Sequence, residues 1–448
     1  MTTFEELKLA SPILKSLDEM GYKTPTPIQE QAIPIVLNGD DLLGIAQTGT
    51  GKTAAFCLPI LHKLYTQNKP TTPKCASVLI LTPTRELAIQ IHENLLEYGS
   101  RLKKFYAVVY GGVSQARQVK ATRRGVHILV ATPGRLLDLV EQGHIKLSKV
   151  ETFVLDEADR MLDMGFMRDL KKILLEIPKK RHNLFFSATM PPDIKSLSQN
   201  ILKKPKKVEV TPESTTVELI RQSAMYVEKP KKIKLLIHLI KSQNLEKVLV
   251  FVGMKHLANR VTKSLVTKNI TAMAIHGNKS QSARQRAIRD FADGKVNVLI
   301  ATDIASRGID IDGISHVINF DLPNIAESYV HRIGRTARAG KEGVAISLVT
   351  GEEKSYLVNI EKSIQKEIDI IVDHPFHSEE AMNSRVMKPG KAKAKIESRN
   401  KRPPRNRRPS RSKKTSTKKT STTNSKGAKT SAGPKKKKRR RRKPKEKN

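Results

Sequence analysis

The strongest constraint on this chain is an alternation of short β-prone apolar runs with longer amphipathic stretches. It begins near Leu42 and begins again near Val248. The first block offers strand candidates at 42–46, 77–82, 107–110, 128–131, 152–155 and 184–187. The second offers 248–252, 272–275, 298–302, 316–320 and 345–349. Helical patterns such as 86–96 and 167–176 lie between strands, so successive strands are joined by crossovers and not by tight turns. That pattern specifies parallel sheets with helices on both faces. The polar stretch 203–216 contains Pro205 and Pro212 and reads as a connector. The fold class is therefore α/β, with two tandem parallel-sheet domains. The blocks also echo each other: Ile128-Leu129-Val130-Ala131-Thr132 is matched by Val298-Leu299-Ile300-Ala301-Thr302, and each is followed by an arginine, Arg135 or Arg307. Ligands in such sheets sit beyond the carboxyl ends of the strands, which is where these threonines fall.

Charge divides the chain differently. The formal net charge is +40 over 448 residues. Residues 385–448 hold 29 Lys+Arg against 2 Asp+Glu, leaving a net +13 for the rest. A moderately basic body with an intensely basic tail points to a polyanion, most often nucleic acid. After about Pro375 the apolar periodicity fades. The Lys/Arg/Ser/Thr/Pro tail cannot bury enough apolar surface to offset its ordering entropy, so disorder is expected there. The two cysteines, Cys57 and Cys75, lack metal-ligand spacing and read as buried small hydrophobes. The chain opens without a basic leader and apolar stretch, and no run approaches the length of a membrane span. A reducing, cytoplasmic setting with no membrane partner is expected.

Chemistry concentrates at a few strand ends. Ala46-Gln47-Thr48-Gly49-Thr50-Gly51-Lys52-Thr53 follows a strand and opens a helix. Backbone N–H groups there can cradle phosphates, Lys52 can reach the β and γ oxygens, and Thr53 can offer a hydroxyl to Mg²⁺. The first position is Ala46 where the general loop pattern has Gly. Asp156-Glu157-Ala158-Asp159 directly follows Phe153-Val154-Leu155. Asp156 would hold Mg²⁺, in part through water, and Glu157 would polarise the attacking water. Ser187-Ala188-Thr189 supplies two hydroxyls near the same edge. Upstream, the Pro-rich element around Gln29 offers an amide suited to an adenine edge, and Tyr22 or Phe4 could stack on the base. Far downstream, His331-Arg332-Ile333-Gly334-Arg335-Thr336-Ala337-Arg338 places Arg335 and Arg338 three apart. On a helix they would share a face and could reach a γ-phosphate held by the first domain.

Taken in order, these motifs resemble the DEAD-box ATP-dependent RNA helicases of superfamily 2. Also in the set are Pro83-Thr84-Arg85-Glu86-Leu87, Gly111-Gly112, Thr132-Pro133-Gly134-Arg135, His276-Gly277 with Gln281 and Arg284, and Ala301-Thr302-Asp303 with Arg307-Gly308-Ile309-Asp310. The resemblance covers roughly residues 1–375 and, with the compact body and basic tail, is most like the bacterial RhlE group. In that family Ala often replaces the first loop Gly, and Ala337 stands where many members carry Gly.

The resemblance implies two RecA-like domains that clamp ATP and RNA. It divides the chain into a Q-motif element at 1–30, an ATP-binding domain at 31–207, a linker at 208–217, a C-terminal helicase domain at 218–375 and a basic tail at 376–448. It implies that Gln29 reads adenine, Gly308 and Asp310 lie at the nucleotide with Asp310 on the ribose, and His331, Arg335 and Arg338 complete catalysis. RNA would lie across Arg85, Gly112, Thr132, Gly134, Arg135, Gly277, Gln281, Arg284 and Thr302. Ser187, Thr189 and Asp303 would couple the domains. Hydroxyl, backbone and Arg contacts of this kind suit reading of phosphate and sugar, not bases. The expected activity is RNA-stimulated ATP hydrolysis that unwinds short duplexes or remodels RNA–protein particles, in ribosome assembly or RNA turnover. Two rivals are a DNA translocase on the same motor and a non-enzymatic RNA annealer working through the tail. A GTPase or kinase lacks a guanine-reading element.

Overall fold

The computed structural model describes residues 2–47, 49–210, 220–303, 311, 313–337 and 342–386. The expected Thr48, Arg307, Gly308, Asp310 and Arg338 contributions, most of the linker and the tail beyond 386 lie outside the described residues.

Each domain is built on one seven-stranded sheet whose neighbouring strands pair in parallel. In the first domain the strands are β1 (Leu42–Ala46), β2 (Ala76–Leu81), β3 (Tyr106–Val109), β4 (Val126–Ala131), β5 (Thr152–Leu155), β6 (His182–Ser187) and β7 (Lys206–Val210). Their order across the sheet is β3-β4-β2-β5-β6-β1-β7. The second domain has β8 (Ile220–Tyr226), β9 (Val248–Phe251), β10 (Ala272–Ile275), β11 (Val298–Ala301), β12 (His316–Asn319), β13 (Gly343–Val349) and β14 (Asp369–Ile370). Their order, β10-β11-β9-β12-β13-β8-β14, is the first sheet's order repeated strand for strand.

The strands are apolar almost throughout because both faces of each sheet are covered. Successive residues serve opposite cores. Val78, Ile80, Ile128, Val130 and Val154 join the cluster on one face, while Leu79, Leu81, Leu129, Ala131, Phe153 and Leu155 join that on the other. Val248 and Val250 separate from Leu249 and Phe251 in the same way. Each fully buried side chain of this size contributes about 1.5–3 kcal/mol. Gly44 in β1 is needed for close approach, since a Cβ there would sit 2.6 Å from the Phe186 ring of β6. Cys57 and Cys75 are free and buried. Among the described residues no helix is long and apolar enough to cross a membrane.

Two edges differ from expectation. β7 runs to Val210, past the boundary expected at 207, because Lys206–Val210 finds a partner in β1. Residues 376–386, counted with the disordered tail, fold against the second domain. A short helix Glu379–Met382 is capped by the Ser378 hydroxyl, which accepts from Ala381 N–H, and Ser384 Oγ donates to the Gly351 carbonyl. The buried Ala381 supplies the apolar contact that composition alone did not reveal.

Candidate nucleotide and RNA sites

The candidate residues gather at the carboxyl ends of the strands in both sheets. β1 leads into the loop Ala46–Thr53, and β5 leads into Asp156 and Glu157. β6 ends on Ser187, β4 is followed by Thr132, and β11 by Thr302.

The loop turns through left-handed positions, Gly49 at φ +89° and Gly51 at φ +93°, conformations that L side chains rarely adopt. Lys52, the first residue of the helix Lys52–Gln67, is buried. Its Nζ donates to the carbonyls of Ala46 (2.6 Å) and Gln47 (2.8 Å). Burial lowers its pKa, opposed by the nearby Asp156 and Glu157 carboxylates. Gln29 braces the loop from outside. Its Oε1 accepts from Thr26 N–H (3.0 Å) and its Nε2 donates to the Gly51 carbonyl (3.1 Å), while Thr26 Oγ1 donates to the Thr50 carbonyl (2.8 Å). Thr26 and Gln29 thus form the capping box that starts the helix Pro27–Asn38.

A cleft of about 290 Å³ brings Tyr22, Gln29, Gly49, Gly51, Lys52, Thr53, Asp156 and Glu157 of the first domain together with Arg335 of the second. A larger apolar groove, lined in part by Leu43, Ile45, Lys195 and Leu202, lies apart from this chemistry. Phe4 does not reach the cleft. It is 4% exposed and packs into the domain core with Leu7 and Leu9, so only Tyr22 remains as a stacking candidate. Tyr22 stands edge-on to Tyr98, with ring centroids 6.1 Å apart. Leu87, Gln90, Asn94 and Tyr98 also line the cleft from the helix Arg85–Tyr98. Of these only Leu87 belongs to a motif found in the sequence; Gln90, Asn94 and Tyr98 do not, although their three- and four-residue spacing from it marks one helical face.

Asp156 is 2% exposed, and burial beside Glu157 raises its pKa to about 7. Its Oδ1 accepts the Glu157 N–H at 2.9 Å. Glu157 sits at φ +53°, a left-handed position that turns the chain out of β5 into the helix Ala158–Asp163. Its carboxylate is gripped by Arg160, with NH1 2.9 Å from Oε1 and 3.0 Å from Oε2, in a pair whose side chains are 2% and 6% exposed. Sequence reading missed Arg160, and its position three residues after Glu157 was the available signal. Asp159 binds the β6 end. Its Oδ2 accepts from Thr189 N–H (2.9 Å) and Thr189 Oγ1 (3.0 Å), and its own N–H donates to Ser187 Oγ (3.3 Å). Ser187 and Thr189 therefore anchor the acidic motif directly.

From the second domain, the helix Ala326–Ile333 carries His331 and Arg332. Its last residue is Ile333, so Arg335 lies in the turn beyond Gly334 and not on the helical face first expected. Gly334 is a poor helix former, which accounts for the stop. Arg335 is 3% exposed. His331 faces the acidic motif across the domain boundary. Burial pushes its pKa down to about 4, assisted by the Arg160 guanidinium, so the imidazole is neutral at pH 7. Asp303 receives both Nε (2.6 Å) and NH2 (2.7 Å) of Arg332. Arg332 also donates to Asn319 Oδ1 and the Asp321 carbonyl and lies over the Phe251 ring at 5.0 Å. The sequence reading did not single it out.

The RNA candidates form a separate face. Arg85 lies against Gly111-Gly112, where Gly112 has φ +83° and a Cβ would collide with the guanidinium. Arg135 donates to the Val113 carbonyl (3.4 Å) and Gln118 Oε1 (3.3 Å). Thr132 stands at the N-cap position of the helix Pro133–Glu141 with no capping bond from its side chain, and Gly134 in the first turn and Gly277 after β10 have open space where a Cβ would stand. Gln281 and Arg284 reach across to Glu86 of the first domain.

Comparison with known proteins agrees with this geometry. Residues 26–197 match the DEAD/DEAH box helicase family and residues 231–340 the helicase conserved C-terminal domain. Proteins named DEAD-box ATP-dependent RNA helicase CshA are 42% identical to this chain. The Bacillus cereus protein matches over 369 residues, 82% of this chain and 69% of its own length. The Bacillus subtilis protein matches over 82% of this chain and 73% of its own. Saccharomyces cerevisiae Dbp5 bound to RNA and ADP BeF3 superposes with a TM-score of 0.72 at 32% identity, covering 83% of this chain and 96% of that one. The two parallel-sheet domains are RecA-like, and the chain belongs to the DEAD-box ATP-dependent RNA helicases.

Proposed function

We propose that the cleft between the two domains is the ATP site of this helicase and that the separate face is its RNA path. The observation that carries this is the meeting of Lys52, Asp156, Glu157 and Arg335 in one cleft, the last from the other domain. Lys52 would exchange its two loop carbonyls for phosphate oxygens. Gln29, already fixed to Thr26 and Gly51, would present its amide to adenine, and Tyr22 its ring. Arg335 would face the γ-phosphate, joined by Arg338, Thr48, Gly308 and Asp310 from outside the described residues.

Among the described residues no group of three or more His, Cys, Asp or Glu is arranged to hold a metal ion. A cation here would arrive with the phosphates, which is how Mg²⁺ is usually held. The residues fit it. Asp156 is buried against Glu157, and that crowding is what a divalent cation relieves. Asp156 and the Thr53 hydroxyl would hold Mg²⁺, which would screen the phosphate charge. Glu157 would take the proton of the attacking water. Arg160 holds that carboxylate in place, and the Asp159 carboxylate accepts from Thr189 and so ties the acidic motif to the end of β6.

On the RNA face, Arg85, Gly112, Thr132, Gly134, Arg135, Gly277, Gln281, Arg284 and Thr302 would contact phosphate and sugar. Ser187, Thr189 and Asp303 would pass closure between the sites. Closure driven by ATP and RNA would bend one strand and separate a short duplex; hydrolysis would reopen it. The domain division would follow the two sheets, with the linker between β7 and β8.

The tail would act as an electrostatic tether. An RhlE-like placement rests on the compact body and basic tail, whereas the curated relatives carry the name CshA. A cytoplasmic role in ribosome assembly or RNA turnover suits bacterial relatives. The test is ATP hydrolysis titrated with RNA and DNA homopolymers, in wild type and Glu157→Gln. RNA-stimulated turnover lost in the variant is expected. Equal stimulation by DNA would favour a DNA translocase, and duplex separation that survives Glu157→Gln would favour an annealer.

A further inference from the structure

One stretch of the first domain carries more basic charge than the sites above use. From Tyr98 to Leu137 the chain has no acidic residue against eight Lys and Arg, of which only Arg135 belongs to those sites. The helix Gln115–Thr122 lies in this stretch and connects β3 to β4. Those strands are parallel, so the helix returns the chain from the carboxyl edge of the sheet to its amino edge. It starts beside the RNA face. The Val113 carbonyl and Gln118 Oε1 accept from Arg135, and Gln118 Nε2 donates to the Tyr110 carbonyl (2.9 Å). Arg117, Lys120 and Arg123 then descend at three-residue steps, Arg123 being the C-cap and still in helical conformation. All three are exposed, as is Arg124.

Phe105 stands at the amino edge where this stripe ends. Its ring is 64% exposed and stacks on His127, with centroids 5.8 Å apart and planes at 23°. The backbone fixes the pair. Phe105 N–H donates to His127 Nδ1 (3.0 Å), and His127 N–H donates to the Phe105 carbonyl (2.8 Å). With Nδ1 accepting, Nε2 carries the proton and donates to the Lys69 carbonyl (3.2 Å), so the imidazole is neutral. Thr71 Oγ1 donates to the Arg124 carbonyl (3.2 Å), and a Cβ on Gly125 would stand 2.0 Å from the Thr72 carbonyl. These loops are therefore closely packed. Two acids from other elements meet this edge, and each is already paired: Glu19 with Arg101 and Glu151 with Lys69. Among the described residues no carboxylate pairs with Lys103, Lys104, Arg117, Lys120, Arg123 or Arg124.

We propose that this stripe and Phe105 form a second contact for single-stranded RNA, on the side of the first domain away from the ATP cleft. Phosphates follow Arg117, Lys120 and Arg123, and a base stacks on the Phe105 ring. The proposal rests on the reading of Arg135 and its neighbours as the RNA path, since the stripe begins where that path ends. An exposed ring by itself says little. A ring held in place beside unpaired cations is the arrangement that binds single strands, because phosphates need charge and every base has a stacking face. Such a contact is tolerant of sequence. It engages only a strand long enough to reach both places, and the clamp then holds that strand at high effective concentration. The second contact therefore raises affinity for long RNA without touching the hydrolysis step.

The test uses the full chain and measures affinity by fluorescence anisotropy for two oligouridines, one short enough to fill the clamp alone and one several times longer. The basic tail is present in every protein compared, so its contribution cancels. Phe105→Ala should weaken the long RNA about tenfold, as loss of one stacked base does, and leave the short one unchanged. Phe105→Tyr, which keeps a ring, should bind both as wild type does. Arg123→Ala with Arg124→Ala should flatten the salt dependence for the long RNA by about 1.4 in log–log slope, since each phosphate contributes about 0.7 on a single strand. Affinity for the long RNA that is unchanged in both variants overturns the second contact, and polyglutamate binding that the arginine pair variant abolishes would then assign the patch to an acidic protein. Equal weakening of short and long RNA overturns it as well, because the residues would be acting through the clamp. If Arg135→Ala leaves the short RNA bound as in wild type, the RNA-path reading fails. If Arg135→Ala weakens the short RNA and Phe105→Ala spares the long one, only the second contact fails.

Discussion

The two domains share one strand order, and each places a lysine the same distance beyond the equivalent strand, Lys52 after β1 and Lys232 after β8. Each also places an acid just past the equivalent central strand, Glu157 after β5 and Asp321 after β12. The outcomes are opposite. Lys52 lines an open cleft and, among the described residues, donates to two carbonyls of its own loop. Lys232 is 2% exposed and is sealed in by Glu353 Oε2 (2.7 Å), the Phe320 carbonyl (2.6 Å) and Asp321 Oδ1 (3.5 Å). Between strand and lysine the first domain has Gly49 and Gly51 in left-handed conformations. The second has Val227-Glu228-Lys229-Pro230-Lys231, with no glycine and a proline-started turn. A lysine and an acid at the right strand ends do not make a phosphate site. A glycine loop is needed as well, because glycines in left-handed conformations are what let successive N–H groups turn toward one point. Without it, the same lysine serves the fold.

The largest expected effect separates the two lysines by what they lose. Lys52→Ala should lower kcat for RNA-stimulated hydrolysis by about 100-fold or more, since a charge aimed at the reacting phosphates is removed. Lys232→Met should leave folded protein able to turn over ATP. Steady-state rates on protein that is folded by circular dichroism decide this, and a Lys232→Met enzyme as inactive as Lys52→Ala would break the comparison.

Stability should respond the other way. Lys232→Met leaves Glu353 buried without its counter-charge and should cost about 3–5 kcal/mol, whereas Lys232→Met with Glu353→Leu should recover most of that loss. Urea unfolding of the three proteins measures it. Equal losses in the single and double variants would mean that the pair does not hold the second domain together.

A smaller effect tests the loop itself. Gly51→Ala places a Cβ at φ +93° and against the Gln29 amide. Strain of this kind costs about 1–3 kcal/mol, so KM for ATP should rise roughly tenfold. An unchanged KM would show that the left-handed turn is dispensable.

The smallest effect concerns pH. His331 is held neutral with its pKa near 4, below the unfolded value of 6.5. Its contribution to stability is therefore complete above pH 6.5 and is lost as pH falls from 6.5 toward 4. His331→Gln should remove that part of the acid sensitivity. Thermal melts between pH 4 and 7 report it, and parallel curves for the two proteins would contradict the assignment.

Much of this was readable beforehand. Strands such as Leu42–Ala46, Thr152–Leu155 and Ala272–Ile275 fell where the apolar runs put them, because both faces of a parallel strand are buried. β7 and β8 were not seen. Lys206–Val210 is polar on its exposed side, and Ile220–Tyr226 mixes Arg, Gln and Ser into its run, so neither stands out without its neighbour in the sheet. Phe4 looked like a stacking aromatic from its place upstream of the Gln29 element, but core burial claimed it. Arg335 was expected on a helix that in fact stops at Ile333.

What the sequence determined by itself was the class of chemistry. Glycines that permit a left-handed loop, a lysine at a helix start and paired acids after an apolar strand act through local geometry, and local geometry is written in adjacent residues. Only the tertiary structure decided which side chains meet across the two domains. Arg335 reaches the cleft of Lys52, Arg160 faces His331, and Glu86 bonds Gln281 and Arg284 because two sheets of one topology present the same strand ends to each other. Those contacts join residues more than a hundred positions apart; the motifs pointed Arg335 toward the first domain's phosphate loop, but neither periodicity nor spacing could have named the Arg160 and Glu86 pairings.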